Sequence, residues 1–255
     1  MKRMANKKFW EVKNSTENEN IGEAYIYGDI VSYKWDDTDT TAKSFKEDLD
    51  SLGDIDTLNI YINSPGGSVF QGQAIYNIIK RHKAKINIHV DGVAASIASV
   101  IAMAGNTIFM PKNSMMMIHN PWTFAYGNAK ELRKQADDLD KIRESLIEAY
   151  LSKAGDKLSR ETLIGIMDNE TWLTAQECYD YGLCDELVEE KEIAASINTE
   201  LFAKYKNTPK ELLNKTEKQN KPIKNTEKIE KDEEIEALIA RVNNILKFEE
   251  ERIYE

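Results

Sequence analysis

The sequence predicts an α/β fold with a mostly parallel sheet. Three observations point there. Runs of β-branched and aromatic residues (Gly22–Tyr33, Leu58–Asn63, Lys85–Asp91) alternate with segments of helical periodicity. Strand–helix–strand recurrence of this kind belongs to parallel strands joined by right-handed crossovers. And 255 residues with 41% hydrophobic content can bury one substantial core, with room for an appendage.

Taken in order, residues 1–20 are polar and charged and predict a mobile arm. Gly22 opens the first strand, GEAYIYGDIVSY. Asp and Thr clusters between Trp35 and Thr41 predict a loop, after which Thr41 caps a helix carrying Phe45 and Leu49 on one face. Gly53 stops it. Leu58–Asn63 is a second strand, running into Ser64-Pro65-Gly66-Gly67 and a helix over Val69–Lys80. Lys85–Asp91 is a third strand, followed by a buried helix around Ser96. Short strands are predicted around Ile108–Met110 and Met115–Ile118.

Asn128–Ser152 carries the apolar stripe Leu132, Ala136, Leu139, Ile142, Leu146, Ala149 and Tyr150, with charge on its other faces. A helix so long and polar is expected to project and pair with a neighbouring subunit. A shorter helix follows over Ser159–Met167. Thr174 and Glu177 then form a capping box for a helix reaching Tyr181, and Leu183–Val188 returns to the sheet. The resulting domain spans residues 21–190. Residues 191–230 predict a charged linker, and 231–255, with Ile235, Leu238, Ile239, Val242, Ile245 and Leu246, an amphipathic helix or short coiled coil.

A net charge of −10 disfavours a nucleic-acid binder, which needs a basic surface. The longest apolar run, Val93–Ala104, is too short to cross a bilayer core of ~30 Å. No apolar stretch follows the basic N-terminal residues, so neither export nor a membrane anchor is expected. Cys178 and Cys184 make no disulfide framework. These features together predict a cytoplasmic protein. The three histidines are scattered without ligand spacing, so no metal or cofactor is expected.

Chemistry concentrates between Asp91 and His119. Ser96 sits among small residues, Gly92-Val93-Ala94-Ala95-Ser96-Ile97-Ala98, where a strand gives way to a helix. Small neighbours let a carbonyl approach, and a helix N-terminus offers free N–H groups to a developing oxyanion. His119 ends an apolar run at a strand end, where it can serve as base. His82 lies in a basic helix end and His89 inside a strand, both places for structural roles. A lone Gly-Gly most often marks a tight turn, and a lone Ser or His is most often structural. Gly66-Gly67, Ser96 and His119 in that order point instead to a serine peptidase centre.

The run Tyr61-Ile62-Asn63-Ser64-Pro65-Gly66-Gly67-Ser68-Val69 resembles the oxyanion strand and loop of the Clp protease proteolytic subunit family. Gly92-Val93-Ala94-Ala95-Ser96 is similar to that family's nucleophile motif, and Met117-Ile118-His119-Asn120-Pro121 to its histidine motif. The likeness covers about residues 22–190. It implies a crotonase-like superhelix of repeated strand–strand–helix turns, with the long helix locking two seven-subunit rings together. It also implies Ser96 as nucleophile, His119 as base and the backbone N–H groups of Gly67 and Ile97 as oxyanion hole. Polypeptides would be the substrates. No Walker-type loop is present, so any ATP use would rest with a separate unfoldase partner.

One position departs from the pattern. The family places an aspartate two residues before an aromatic. Here the aromatic is Trp172, which puts Glu170 at that site, with Asp168 as a substitute. The wider pattern, Glu23-Ala24-Tyr25-Ile26-Tyr27-Gly28-Asp29-Ile30 and Glu170-Thr171-Trp172-Leu173-Thr174-Ala175, resembles the Clp-like proteases of tailed phages and prophages. That implies a head-maturation protease cleaving scaffold or capsid segments. Two alternatives stand beside it: a catalytically silent assembly factor of the same fold, and a crotonase-type acyl-CoA enzyme, which would need acid/base carboxylates rather than a Ser–His pair.

Overall fold

The computed structural model describes residues 8–16, 18–31, 41–189, 202 and 205–209. Internal packing divides the chain into units 1–214 and 215–255, and every described residue lies in the first. The helix expected over 231–255 and most of the linker therefore lie outside the described residues.

The framework is the mixed α/β one expected. Strands β1 (Trp10–Asn14), β2 (Ile21–Tyr27), β3 (Thr57–Ser64), β4 (Lys85–Ala95), β5 (Thr107–Pro111) and β8 (Glu186–Val188) lie side by side in that order. β1 is antiparallel to β2, and the other pairs along this path are parallel. β2, β3 and β4 each bury alternate residues, such as Leu58, Ile60 and Ile62 of β3. One face of the sheet is therefore covered by helices. Across the other run stacked rings in register, Tyr25, Tyr61, His89 and Phe109, with centroids 4.8–4.9 Å apart. His89 is a packing residue.

Helix α1 (Ala42–Asp50) starts at Thr41, whose hydroxyl accepts from Ser44 N, and buries Phe45 and Leu49. Helix α2 (Val69–Lys80) packs on α3 (Ile97–Ala102) through Gly72, where a Cβ would lie 2.2 Å from Ile97 Cγ1. Helix α4 (Ala129–Ala154) is capped by Asn128 and Glu131. Its C-terminal half buries Leu146, Ile147, Ala149 and Tyr150, while Leu132 near its start is exposed. The chain's own core covers only part of the predicted stripe. Helix α5 (Arg160–Asp168), strand β7 (Thr171–Thr174) and helix α6 (Ala175–Asp180) follow, α6 with the predicted Thr174–Glu177 capping box. Cys178 and Cys184 are free and buried.

Three expectations need correction. Residues 10–14, assigned to a mobile arm, form edge strand β1, because Trp10 buries its ring against Phe9 and Phe45 while its indole N–H donates to Asp48. The helix at Ser96 starts only at Ile97: Val93–Ala95 remain strand because they pair with Met115–Met117 of β6 (Met115–Ile118). Finally, Phe202 and residues 205–209, assigned to a charged linker, pack against the domain, with Phe202 and Tyr205 buried.

Candidate active site

Strand β4 forks. Its first half pairs with β5 and its last three residues pair with β6, so β6 starts beside the end of β4. At the fork sits Ser96, with φ 54° and ψ −129°. A side chain in the left-handed half of backbone space costs about 1–3 kcal/mol and persists only where its surroundings over-determine it. They do so here. Ser96 N donates to Met117 O at 2.9 Å, and Ser96 O accepts from Ser99 Oγ at 2.5 Å. The Ser99 hydroxyl also meets the buried Tyr150 hydroxyl at 2.7 Å, tying the elbow to α4. The turn throws the Ser96 hydroxyl out of the helix axis toward β6.

Gly66 backs the elbow. With φ 94°, it lies so close that a Cβ would be 2.7 Å from both Ala95 O and Ser96 Cβ. Gly67, with φ 142°, is wedged against Ile30, whose carbonyl oxygen would sit 2.2 Å from a Cβ there. Ile30 N donates to Gly66 O at 2.8 Å and Ser68 N to Ile30 O at 2.7 Å, which pins the loop on both sides. Among the described residues neither Gly67 N nor Ile97 N has a hydrogen-bond acceptor. The sequence's small residues thus do what an oxyanion site requires: close backbone approach with donors left unpaired.

β6 delivers His119 directly after Ile118, and antiparallel β7 delivers the carboxylate. Ile118 pairs with Thr171, so the residues just beyond, His119 and Glu170, become neighbours. Ser96 Oγ lies 2.7 Å from His119 Nε2. Glu170 Oε2 lies 4.0 Å from His119 Nδ1, beyond hydrogen-bond length. Asp168 faces elsewhere: it accepts from Asn120 Nδ2 and Arg143 Nη2, each at 2.8 Å. Burial lowers the His119 pKa to about 4, so the ring is neutral near pH 7 and free to accept a proton. A cleft of about 710 Å³ opens beside it, lined by His119, Trp122, Asp168, Glu170 and Lys206 among others.

Residues 17–191 match the family model of Clp protease. The chain belongs to the Clp protease family. Members generally form oligomeric rings and act on polypeptides. Among the described residues no cluster of His, Cys, Asp and Glu could hold a metal ion, and no helix is long and apolar enough to cross a membrane.

Around this candidate site of a Clp protease family chain the structure adds residues that sequence reasoning missed. Phe202 and Tyr205 pack with Val93, Ala95, Met117 and Trp172. The Tyr205 ring stands edge-on to the His119 ring, centroids 5.2 Å apart, and its hydroxyl donates to Pro65 O at 2.5 Å. Burial raises the Tyr205 pKa to about 12, so the phenol stays protonated. Asn207 N donates to Glu170 Oε1 at 2.8 Å, and Asn207 Nδ2 to Asn169 O at 2.7 Å. The available signal was two aromatic side chains in a stretch otherwise rich in Lys, Glu and Asn.

Proposed function

We propose that this chain is a serine endopeptidase of Clp type in which Ser96 is the nucleophile, His119 the general base and Glu170 the carboxylate that orients the imidazole. The observation that carries this is the 2.7 Å contact between Ser96 Oγ, on a strained elbow, and His119 Nε2, on a ring that burial keeps neutral. Ser96 Oγ attacks the peptide carbonyl carbon as its proton passes to His119 Nε2. The carbonyl oxygen, now an oxyanion, accepts from Gly67 N–H and Ile97 N–H. His119 returns the proton to the departing amine nitrogen as the C–N bond breaks. Water then repeats the sequence on the acyl-serine, releasing the acid and restoring Ser96.

The chain works in stacked, seven-subunit rings, with the exposed half of α4 meeting a neighbouring subunit. Its substrates are scaffold or capsid segments during phage head maturation, in keeping with the motif resemblance around Glu23–Ile30 and Glu170–Ala175. One competing reading has a specific observation behind it. The 4.0 Å gap at Glu170 favours a silent assembly factor if the gap never closes.

Fluorophosphonate labelling of the assembled protein separates the two. The expected result is one adduct, mapped to Ser96, that disappears in Ser96→Ala and falls at least about a thousandfold in rate in His119→Ala. A well-assembled protein that takes up no probe in any form would leave the assembly factor standing.

A further inference from the structure

We propose that the stretch carrying Phe202 and Tyr205 occupies the chain's own peptide-binding surface, making the full chain a latent protease that opens when this stretch is displaced. This rests on the peptidase assignment above and adds its regulation. A scissile carbonyl must come within reach of Ser96 Oγ and the unpaired N–H groups of Gly67 and Ile97. The Tyr205 side chain already holds that ground, its ring edge-on to His119 and its hydroxyl donating to the carbonyl of Pro65, next to the Gly66–Gly67 turn. Tail and substrate are therefore mutually exclusive.

The stretch engages both His119 and Glu170. The Tyr205 ring packs edge-on against the His119 ring. Asn207 N–H holds Glu170 Oε1 while the other carboxylate oxygen stays 4.0 Å from the imidazole. Phe202 fills an apolar recess formed by Val93, Ala95, Met117 and Trp172. The recess is imperfectly matched: among the described residues the buried Trp172 indole N–H has no acceptor. A peptide that offers an apolar side chain to the recess and a backbone carbonyl to that indole would fit better than the tail, and so could displace it.

The test uses the full chain. In a Ser96→Ala background, which cannot turn over, binding of a fluorescein-labelled peptide with the sequence of residues 200–209 (ELFAKYKNTP) is followed by polarisation. Phe202→Ala/Tyr205→Ala is expected to bind it at least tenfold more tightly than the chain with its tail intact. Asn207→Ala, a milder change that serves if the double variant folds poorly, is expected to bind severalfold more tightly. Equal affinity in all three, or binding to none, would overturn the proposal. With Ser96 present, the double variant should take up fluorophosphonate at least tenfold faster. Rapid and equal labelling would sink the latch and leave the peptidase. Tighter peptide binding without any labelling would sink the peptidase and leave the latch.

Discussion

Among the described residues, Ser96 and Glu170 are the two with positive φ that are not glycines, at 54° and 47°, and they are held in opposite ways. Ser96 lies at the end of a buried strand. Gly66, Met117, Ser99 and, through Ser99, Tyr150 clamp it from within the domain. Glu170 lies on the turn between α5 and β7, and its carboxylate is hydrogen-bonded by Asn207, a residue far along the chain. The Ser96–His119 pair is therefore set by the core, whereas the position of the Glu170 side chain depends on what lies over the site. A 2.7 Å contact on one side of His119 and a 4.0 Å gap on the other are the visible result.

Breaking the rigid side should cost most. Gly67→Ala puts a methyl 2.2 Å from Ile30 O, a backbone atom that cannot swing away, so the loop and its N–H must move. Displacing one oxyanion donor typically costs about 10²–10³ in kcat. The expected outcome is a loss of that size in peptide turnover, with the melting temperature lowered as well.

The adjustable side should yield less while the tail stays in place. Glu170→Gln removes a charge that is not yet bonded to His119, so turnover in the chain with its tail intact should fall only about tenfold. In Phe202→Ala/Tyr205→Ala, with the carboxylate released toward the ring, the same substitution should cost about 10²–10⁴, as expected where an orienting carboxylate is engaged. Equal losses in both backgrounds would mean that the gap does not close.

The smallest expected effect is a shift in pH dependence, followed by the histidine C2–H resonance of His119. Around this ring stand Ser96 from the elbow, Glu170 from the β7 turn and the Tyr205 phenol, with Asp168 and Lys206 on the cleft wall. Burial holds the pKa near 4, below the ordinary 6.5. The neutral base is thus present above about pH 5 and is lost as pH falls through 4. The unfolded chain takes up this proton near 6.5, so folding stability declines as pH falls from 6.5 toward 4. Displacing the tail readmits water and brings a carboxylate nearer. Both favour the imidazolium, and the midpoint should rise toward 6.5. An unchanged midpoint would mean that Tyr205 contributes little to the burial.

Much of this was legible in the order of residues. Helix α2 begins and ends where the pattern put it, and the caps at Thr41 and Thr174 are in place, because capping is decided by residues three or four apart. The family motifs brought Ser96, His119 and the Gly66–Gly67 turn together on paper, and the structure brings them together in space. β1 escaped notice because its alternation, Trp10-Glu11-Val12-Lys13, carries only two apolar positions and is set in a charged stretch.

The choice between Glu170 and Asp168 could not be read locally. Both carboxylates precede Trp172, and only the antiparallel register of β6 with β7 turns one of them toward His119, while Arg143 and Asn120 claim the other. The hold of Phe202, Tyr205 and Asn207 on the site belongs to the same class of fact. By itself the sequence determined most of the strands and the caps at Thr41 and Thr174, all encoded in short spacings, and it singled out Ser96 and His119. Tertiary structure alone decided which carboxylate faces the imidazole and what covers the serine, because those contacts join residues tens to more than a hundred positions apart, where local pattern carries no information about pairing.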